Sequence, residues 1–300
     1  MPADNPEQFY TGRSADFSET RIRDAALLAD QGNGDLAENL HIFETPEGIV
    51  VYAATDRGIG QNENHDRVVI NPNTSQFTVL DGMASAEPSQ ILAEKILAYP
   101  NDLTKAIEEA RSVMRARQIY HGTCLISAEL TPDKTLNVSQ SGDCGLIAFG
   151  SDGKVKFSAT RQVKMHTLPL KVDMKDFGIQ RTYQRLVDTS PVSFISVSSG
   201  DLHDYDEVKL AEGDTVILFS DALWSNFSTD ELSALVAQNR NPQDLFRRIS
   251  EDLNRKMQSA ATPLLSKDDV FSSVEEKARC YYGGDHVPHS DNQSLVLFQV

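Results

Sequence analysis

The sequence predicts an α+β fold in which antiparallel sheets are covered by helices. Three observations carry this expectation. Short apolar runs recur in pairs joined by turn-forming residues. Two stretches in the first half carry apolar residues at three- and four-residue spacing, and two capped helix starts stand in the second half. Strands and helices come in blocks rather than in strict alternation, which disfavours a parallel, doubly wound sheet.

The elements follow in order. Residues 1–38 are polar, with few aromatics, and read as a loosely packed extension. Within them a short helix is expected over 24–30, broken by Gln31-Gly32-Asn33-Gly34-Asp35. Residues 39–300 read as one domain. Apolar segments at 41–43 and 48–54 flank Glu44-Thr45-Pro46-Glu47-Gly48 and form a hairpin. Strands at 67–70 and 76–80 are joined by Asn71-Pro72-Asn73-Thr74, strong turn chemistry. Helices over 88–99 and 103–118 line Ile91, Leu92 and Ile96, then Ile107, Ala110 and Met114, along one face each.

A second group of strands covers 122–129, 136–140, 146–149 and 155–158, the last two turned by Asp152-Gly153. Residues 160–210 look less regular and suggest a surface flap. A buried-type strand at 215–219 follows. Ser228 and Glu231 make a capping box for a helix to 238, Asn241 opens another to about 259, and 293–300 is the last strand.

Composition narrows the function. Hydrophobic residues make up 40% and charged residues 24%, as in an ordinary globular protein. No run approaches the roughly 20 apolar residues of a membrane helix. Met1-Pro2-Ala3-Asp4-Asn5-Pro6 has no basic or apolar start, so no secretory signal is expected. A net charge of −16 argues against nucleic-acid binding and leaves carboxylates free for divalent cations. Cys124, Cys144 and Cys280 are scattered, with no CxxC pair, which disfavours structural zinc and suits a reducing cytoplasm. Six residues after them stand Leu130, Gly150 and His286, not arginine, so a thiolate nucleophile cradling phosphate is not expected.

Four aspartates lie beside strands: Asp66, Asp81, Asp221 and Asp291. A single case is ordinarily a turn or a helix cap. Several together suggest metal ligands, because charges at strand ends are paired or bind an ion when buried. All-oxygen ligands select magnesium or manganese.

The order Asn64-His65-Asp66, Asp81-Gly82-Met83, Gly142-Asp143-Cys144, Ser220-Asp221-Ala222-Leu223-Trp224 and Ser290-Asp291-Asn292 resembles the metal-dependent type 2C (PPM-type) serine/threonine protein phosphatases of bacterial style. The resemblance spans residue 48 to the C-terminus. It implies a central antiparallel β-sandwich flanked on both faces by helix pairs, four layers αββα, with metals between the sheets at one edge. It also implies that Asp66, Asp81, Asp221 and Asp291 are carboxylate ligands of a Mg or Mn pair and that Gly82 offers a backbone carbonyl. Asp143 matches an aspartate that helps bind a third ion, and the Thr123 hydroxyl serves packing.

The implied reaction is hydrolysis of phosphoserine or phosphothreonine esters in a protein substrate. Two divalent ions would neutralise the phosphate, bridge the attacking water and lower its pKa towards about 7, with no covalent intermediate.

Several positions depart from the family. Gln61 stands where an arginine usually grips the phosphate, and Arg57 is the nearby residue able to replace it. His65 stands where glutamate is common, Ala84-Ser85-Ala86-Glu87 replaces the usual glycines and histidine, and Ala222 replaces a glycine. His286 and His289 flank the Asp291 segment as possible proton donors. The alternative reading is therefore a catalytically weak or inactive pseudo-phosphatase that acts as a phosphoprotein-binding or regulatory module.

Overall fold

The computed structural model describes residues 9–10, 21–30, 32, 35–59, 61–159, 163–174, 179–191, 194–197, 202–205, 207–261 and 291–300. Its strands run in chain order β1 (Phe9–Tyr10), β2 (Ala26–Leu28), β3 (His41–Glu44), β4 (Val50–Asp56), β5 (Arg67–Asn71), β6 (Gln76–Gly82), β7 (Thr123–Leu130), β8 (Thr135–Ser141), β9 (Gly145–Phe149), β10 (Val155–Ser158), β11 (Val163–Met174), β12 (Ile179–Pro191), β13 (His203–Asp204), β14 (Val208–Lys209), β15 (Thr215–Phe219) and β16 (Gln293–Gln299). The helices are α1 (Glu87–Ala98), α2 (Leu103–Arg117), α3 (Asp221–Asn226), α4 (Thr229–Gln238) and α5 (Pro242–Ala261).

Two sheets stack. One has the order β1-β2-β5-β6-β7-β8-β13, with β14 also paired to β8; the other has the order β10-β9-β15-β16-β4-β3. Every pairing in them is antiparallel except the short β1–β2 contact.

The central strands are buried on both faces, so they read as unbroken apolar runs. Along β15, Val216 and Leu218 face the opposite sheet, while Ile217 and Phe219 face the helices. Strand β16 repeats this with Val296 and Phe298 inward and Leu295 and Leu297 outward. Phe77 of one sheet meets Phe298 of the other, ring centres 4.9 Å apart. Helices α1 and α2 cover Leu27, Val69, Leu80 and Leu125 with the apolar faces expected, and Met114 is buried among them. Helices α3, α4 and α5 cover the other sheet through Leu223, Leu232, Phe246 and Leu253. The result is the four-layer αββα sandwich.

Two local expectations need correction. The 24–30 segment is not a helix: Ala26–Leu28 is a strand paired to β5, Leu27 opposite Val69. Local pattern favoured a helix, but burial on both faces of a sheet overrides it. Ala26, Leu27, Leu28 and Leu36 lie in the core, so this part of the N-terminal stretch is well packed. In the 160–210 segment, β11 and β12 form a long antiparallel ribbon, with Leu168 opposite Arg185 and Leu170 opposite Tyr183. Pro169 and scattered charges hid its alternation, and a ribbon paired only with itself needs no continuous apolar face. Asp221 follows its strand as expected, and it also begins a helix, α3, with Ser220 at the cap position.

Candidate active site

All five aspartates leave the two sheets at the same end. Asp66 immediately precedes β5, and Asp81 and Gly82 close β6. Asp143 stands in the link from β8 to β9, after Gly142 at φ +97°. Asp221 follows β15, and Asp291 precedes β16. The ladders bring these ends together: Arg67 faces Leu80, Asp81 faces Cys124, Gly145 faces Phe219, and Gln293 faces Asp56.

Their charges interact. Protein packed round Asp81, then the neighbouring Asp66, Asp221, Asp143 and Asp291 carboxylates, hold its pKa well above the usual range, although part of its surface still meets solvent. Burial, followed by Asp221 and Asp66, pushes Asp291 up to about 8. Burial likewise pushes Asp66 up to about 7, partly offset by the nearby Ser220 hydroxyl. Both Asp66 oxygens are buried and receive no hydrogen bond. Of the hydroxyls beside it, Ser294 Oγ donates to Thr55 Oγ1 at 2.8 Å, while Ser220 Oγ accepts from Ser294 N at 3.0 Å and keeps its own proton able to turn toward Asp66.

This arrangement fits divalent cations. Carboxylate oxygens buried without a hydrogen bond among like charges call for added positive charge, which a hard cation supplies. Gly82 fits as well, because a Cβ there would lie 2.6 Å from the His65 carbonyl and 2.7 Å from the Ser85 carbonyl. Among the described residues, no three His, Cys, Asp or Glu side chains are arranged to hold an ion by themselves. Magnesium does not require such a cage: one or two carboxylates plus waters commonly hold it.

Backbone supports fix the loop between β4 and β5, which carries Arg57, Gln61, His65 and Asp66. Asn292 Nδ2 donates to the Arg57 and Glu63 carbonyls at 2.6 and 3.0 Å, and its Oδ1 accepts from His65 N at 2.8 Å. Asn64 Oδ1 accepts from Asp66 N at 2.9 Å, while Asn64 Nδ2 donates to the Asp30 carbonyl and to Thr55 Oγ1. Asp56 takes the Gly58 amide at 2.7 Å, and Gly58, at φ +75°, has no room for a Cβ against the Asp291 carbonyl. Thr123 Oγ1 donates to the Asp81 carbonyl at 2.8 Å, so its hydroxyl anchors the strand that carries Asp81.

Gln61 and Arg57 are both half-buried on this loop. The His65 ring lies 3.7 Å from the Glu63 carboxylate. Trp224 packs edge-on against Phe219 at 4.8 Å, on the helix side of the sheet. His286 and His289 lie outside the described residues. Sequence reasoning missed Asn292's loop contacts, Asp56 and Arg67. The one signal for Arg67 was a charge opening an otherwise apolar strand.

No protein-family model and no curated protein matches the chain by sequence. Solved structures do match. PppA, a key regulatory component of T6SS in Pseudomonas aeruginosa, aligns at 14% identity and TM-score 0.54, over 83% of this chain and 96% of that one. The PPM Ser-Thr phosphatase MsPP of Mycobacterium smegmatis, in complex with cacodylate, aligns at 18% identity and TM-score 0.51, over 83% and 97%. The catalytic domain of the serine threonine protein phosphatase PstP, in complex with two manganese ions, aligns at 18% identity and TM-score 0.51, over 83% and 96%. Two stacked antiparallel sheets between helical layers, with acidic residues gathered at one end, thus give this chain the fold of the PPM-type serine/threonine phosphatases.

Proposed function

We propose that the chain is a metal-dependent phosphatase that hydrolyses phosphoserine or phosphothreonine in a protein substrate in the cytoplasm. The observation that carries this reading is the Asp66 carboxylate, buried without a hydrogen bond amid four other aspartates. In this reading Asp66, Asp81, Asp221 and Asp291, with the Gly82 carbonyl, hold a magnesium or manganese pair, and Asp143 serves a third ion. Such ions supply positive charge against a phosphate dianion and acidify a water.

The chain's own residues do the rest. The sheet ends hold the carboxylates on rigid supports. Asn292 and Asn64 fix the loop that presents Gln61 and Arg57 to the phosphate. Gln61 offers a neutral N–H contact where an arginine would make two charge-assisted bonds. Among the described residues no helix is long and apolar enough to cross a membrane, which is compatible with the location proposed.

Hydrolysis of p-nitrophenyl phosphate is the test. Manganese is expected to support turnover and EDTA to abolish it. Equal turnover in thoroughly metal-stripped protein would overturn the metal assignment. Manganese binding with no turnover on any phosphopeptide would favour the non-catalytic binding module, for which the loss of arginine at Gln61 is the supporting feature.

A further inference from the structure

Three consecutive carbonyls of the loop before β5 are held from the side of α1. Arg67 donates through one guanidinium nitrogen to the Asn64 carbonyl at 2.8 Å and to the Asp66 carbonyl at 2.6 Å. Ser89 Oγ of α1 donates to the His65 carbonyl between them. Arg67 is itself tied to α1, its Nε donating to Gln90 Oε1 at 2.6 Å, while Gln90 Nε2 donates to Glu94 at 2.9 Å. Arg67 is 6% exposed, so this is a buried charge with fixed geometry.

We propose that Arg67, anchored by Gln90, is a positioning residue for cation binding: it clamps the backbone of 64–66 so that the Asp66 carboxylate is aimed into the acidic cluster. The inference rests on the metal reading above. The physical case is geometric. The planar guanidinium reaches two carbonyls through Nη1 and a helix side chain through Nε, a rigid spread between two nitrogens that the single nitrogen of an ammonium does not have. With the carbonyls at 64, 65 and 66 all engaged on the α1 side, the Asp66 side chain is left toward the acidic cluster, where it feels the charge of Asp221. Groups that orient a ligand in this way commonly change metal affinity by about 10–100-fold when lost.

The test compares wild type, Arg67→Lys and Gln90→Leu. Arg67→Lys keeps the charge and loses the fork; Gln90→Leu keeps Arg67 and removes its anchor. Manganese dissociation constants are measured by titration calorimetry at a temperature where each protein is folded, as checked by circular dichroism. Both variants are expected to bind manganese more weakly, Arg67→Lys by about tenfold and Gln90→Leu by less. Should Arg67→Lys fail to fold, Gln90→Leu carries the test alone. Folded variants with wild-type affinity would overturn the proposal and leave the metal reading intact. A wild type that binds no manganese would overturn both.

Discussion

Asn292 commits its whole side-chain amide to one loop, and this makes it a sensitive residue outside the carboxylate set. It bonds a carbonyl 235 positions away in sequence, that of Arg57, and two further backbone groups at Glu63 and His65. Asn292→Ala leaves three buried or half-buried partners unsatisfied, at about 1–3 kcal/mol for each group fully desolvated. Urea denaturation should show a clear loss of stability, and kcat/KM for p-nitrophenyl phosphate should fall by about tenfold or more as the Gln61 segment loosens. Wild-type kinetics in a folded Asn292→Ala would disprove the coupling. Gln61→Arg tests the opposite direction. A charge-assisted bond contributes about 1.5–3 kcal/mol, so recovering about half of that should lower KM for the small substrate by about tenfold. An unchanged KM would mean that another residue already supplies that charge. The acidic residues were legible in the sequence because aspartate is conspicuous at the end of an apolar strand. Asn292's contacts and Arg67's clamp were not, because they act on backbone carbonyls that only the folded loop brings within reach.

Local chemistry marks some elements and tertiary pairing makes others. Helix α4 belongs to the first kind. Ser228 Oγ accepts from Glu231 N at 3.2 Å, and Glu231 Oε2 accepts from Ser228 N at 2.8 Å, so the capping box written in the sequence is formed. Lys256 of α5 joins it, with Nζ 2.7 Å from Glu231 and over the Phe227 ring at 4.2 Å. Ser228→Ala should reduce stability by about 1 kcal/mol, a few degrees in melting temperature by calorimetry, with no change in turnover. A loss of activity at temperatures where the variant is folded would show that α4 reaches the site. Strand β2 belongs to the second kind. Three residues are too few for any period to declare them, and pairing with β5 and β1 makes Ala26–Leu28 a strand. The β11–β12 ribbon is masked in the sequence for a related reason, since Pro169 interrupts the pattern that its pairing restores. The central strands and α1, α2, α4 and α5 were legible because their apolar periods and caps agree with the burial they meet.

At the scale of the molecule, the sandwich gathers its buried negative charge at one end, and this couples folding to both protons and metal. Without metal, Asp66 rises to about 7, Asp291 to about 8, and Asp81 well above its usual range. In the unfolded chain these groups titrate near about 4. Between those limits the folded state binds more protons than the unfolded state, so stability falls as pH rises. The contribution is fully present below about pH 4 and is lost as pH climbs through 7 to 8, by at most about 1.4 kcal/mol per pH unit for each carboxylate. Urea midpoints in EDTA should therefore be higher at pH 5 than at pH 8. Manganese should reverse this loss, because the ion replaces the protons and binds only the folded site, stabilising it in proportion to ligand excess. Asp66→Asn separates the two effects. It removes one charge without removing the side chain's volume, so in EDTA it should exceed wild type in stability at pH 8, show little advantage at pH 5, and respond less to manganese at either pH. If the wild type in EDTA instead gained stability between pH 5 and pH 8, with manganese making no difference, the five aspartates could not form one electrostatic unit, and the centre they are proposed to build would be lost with it.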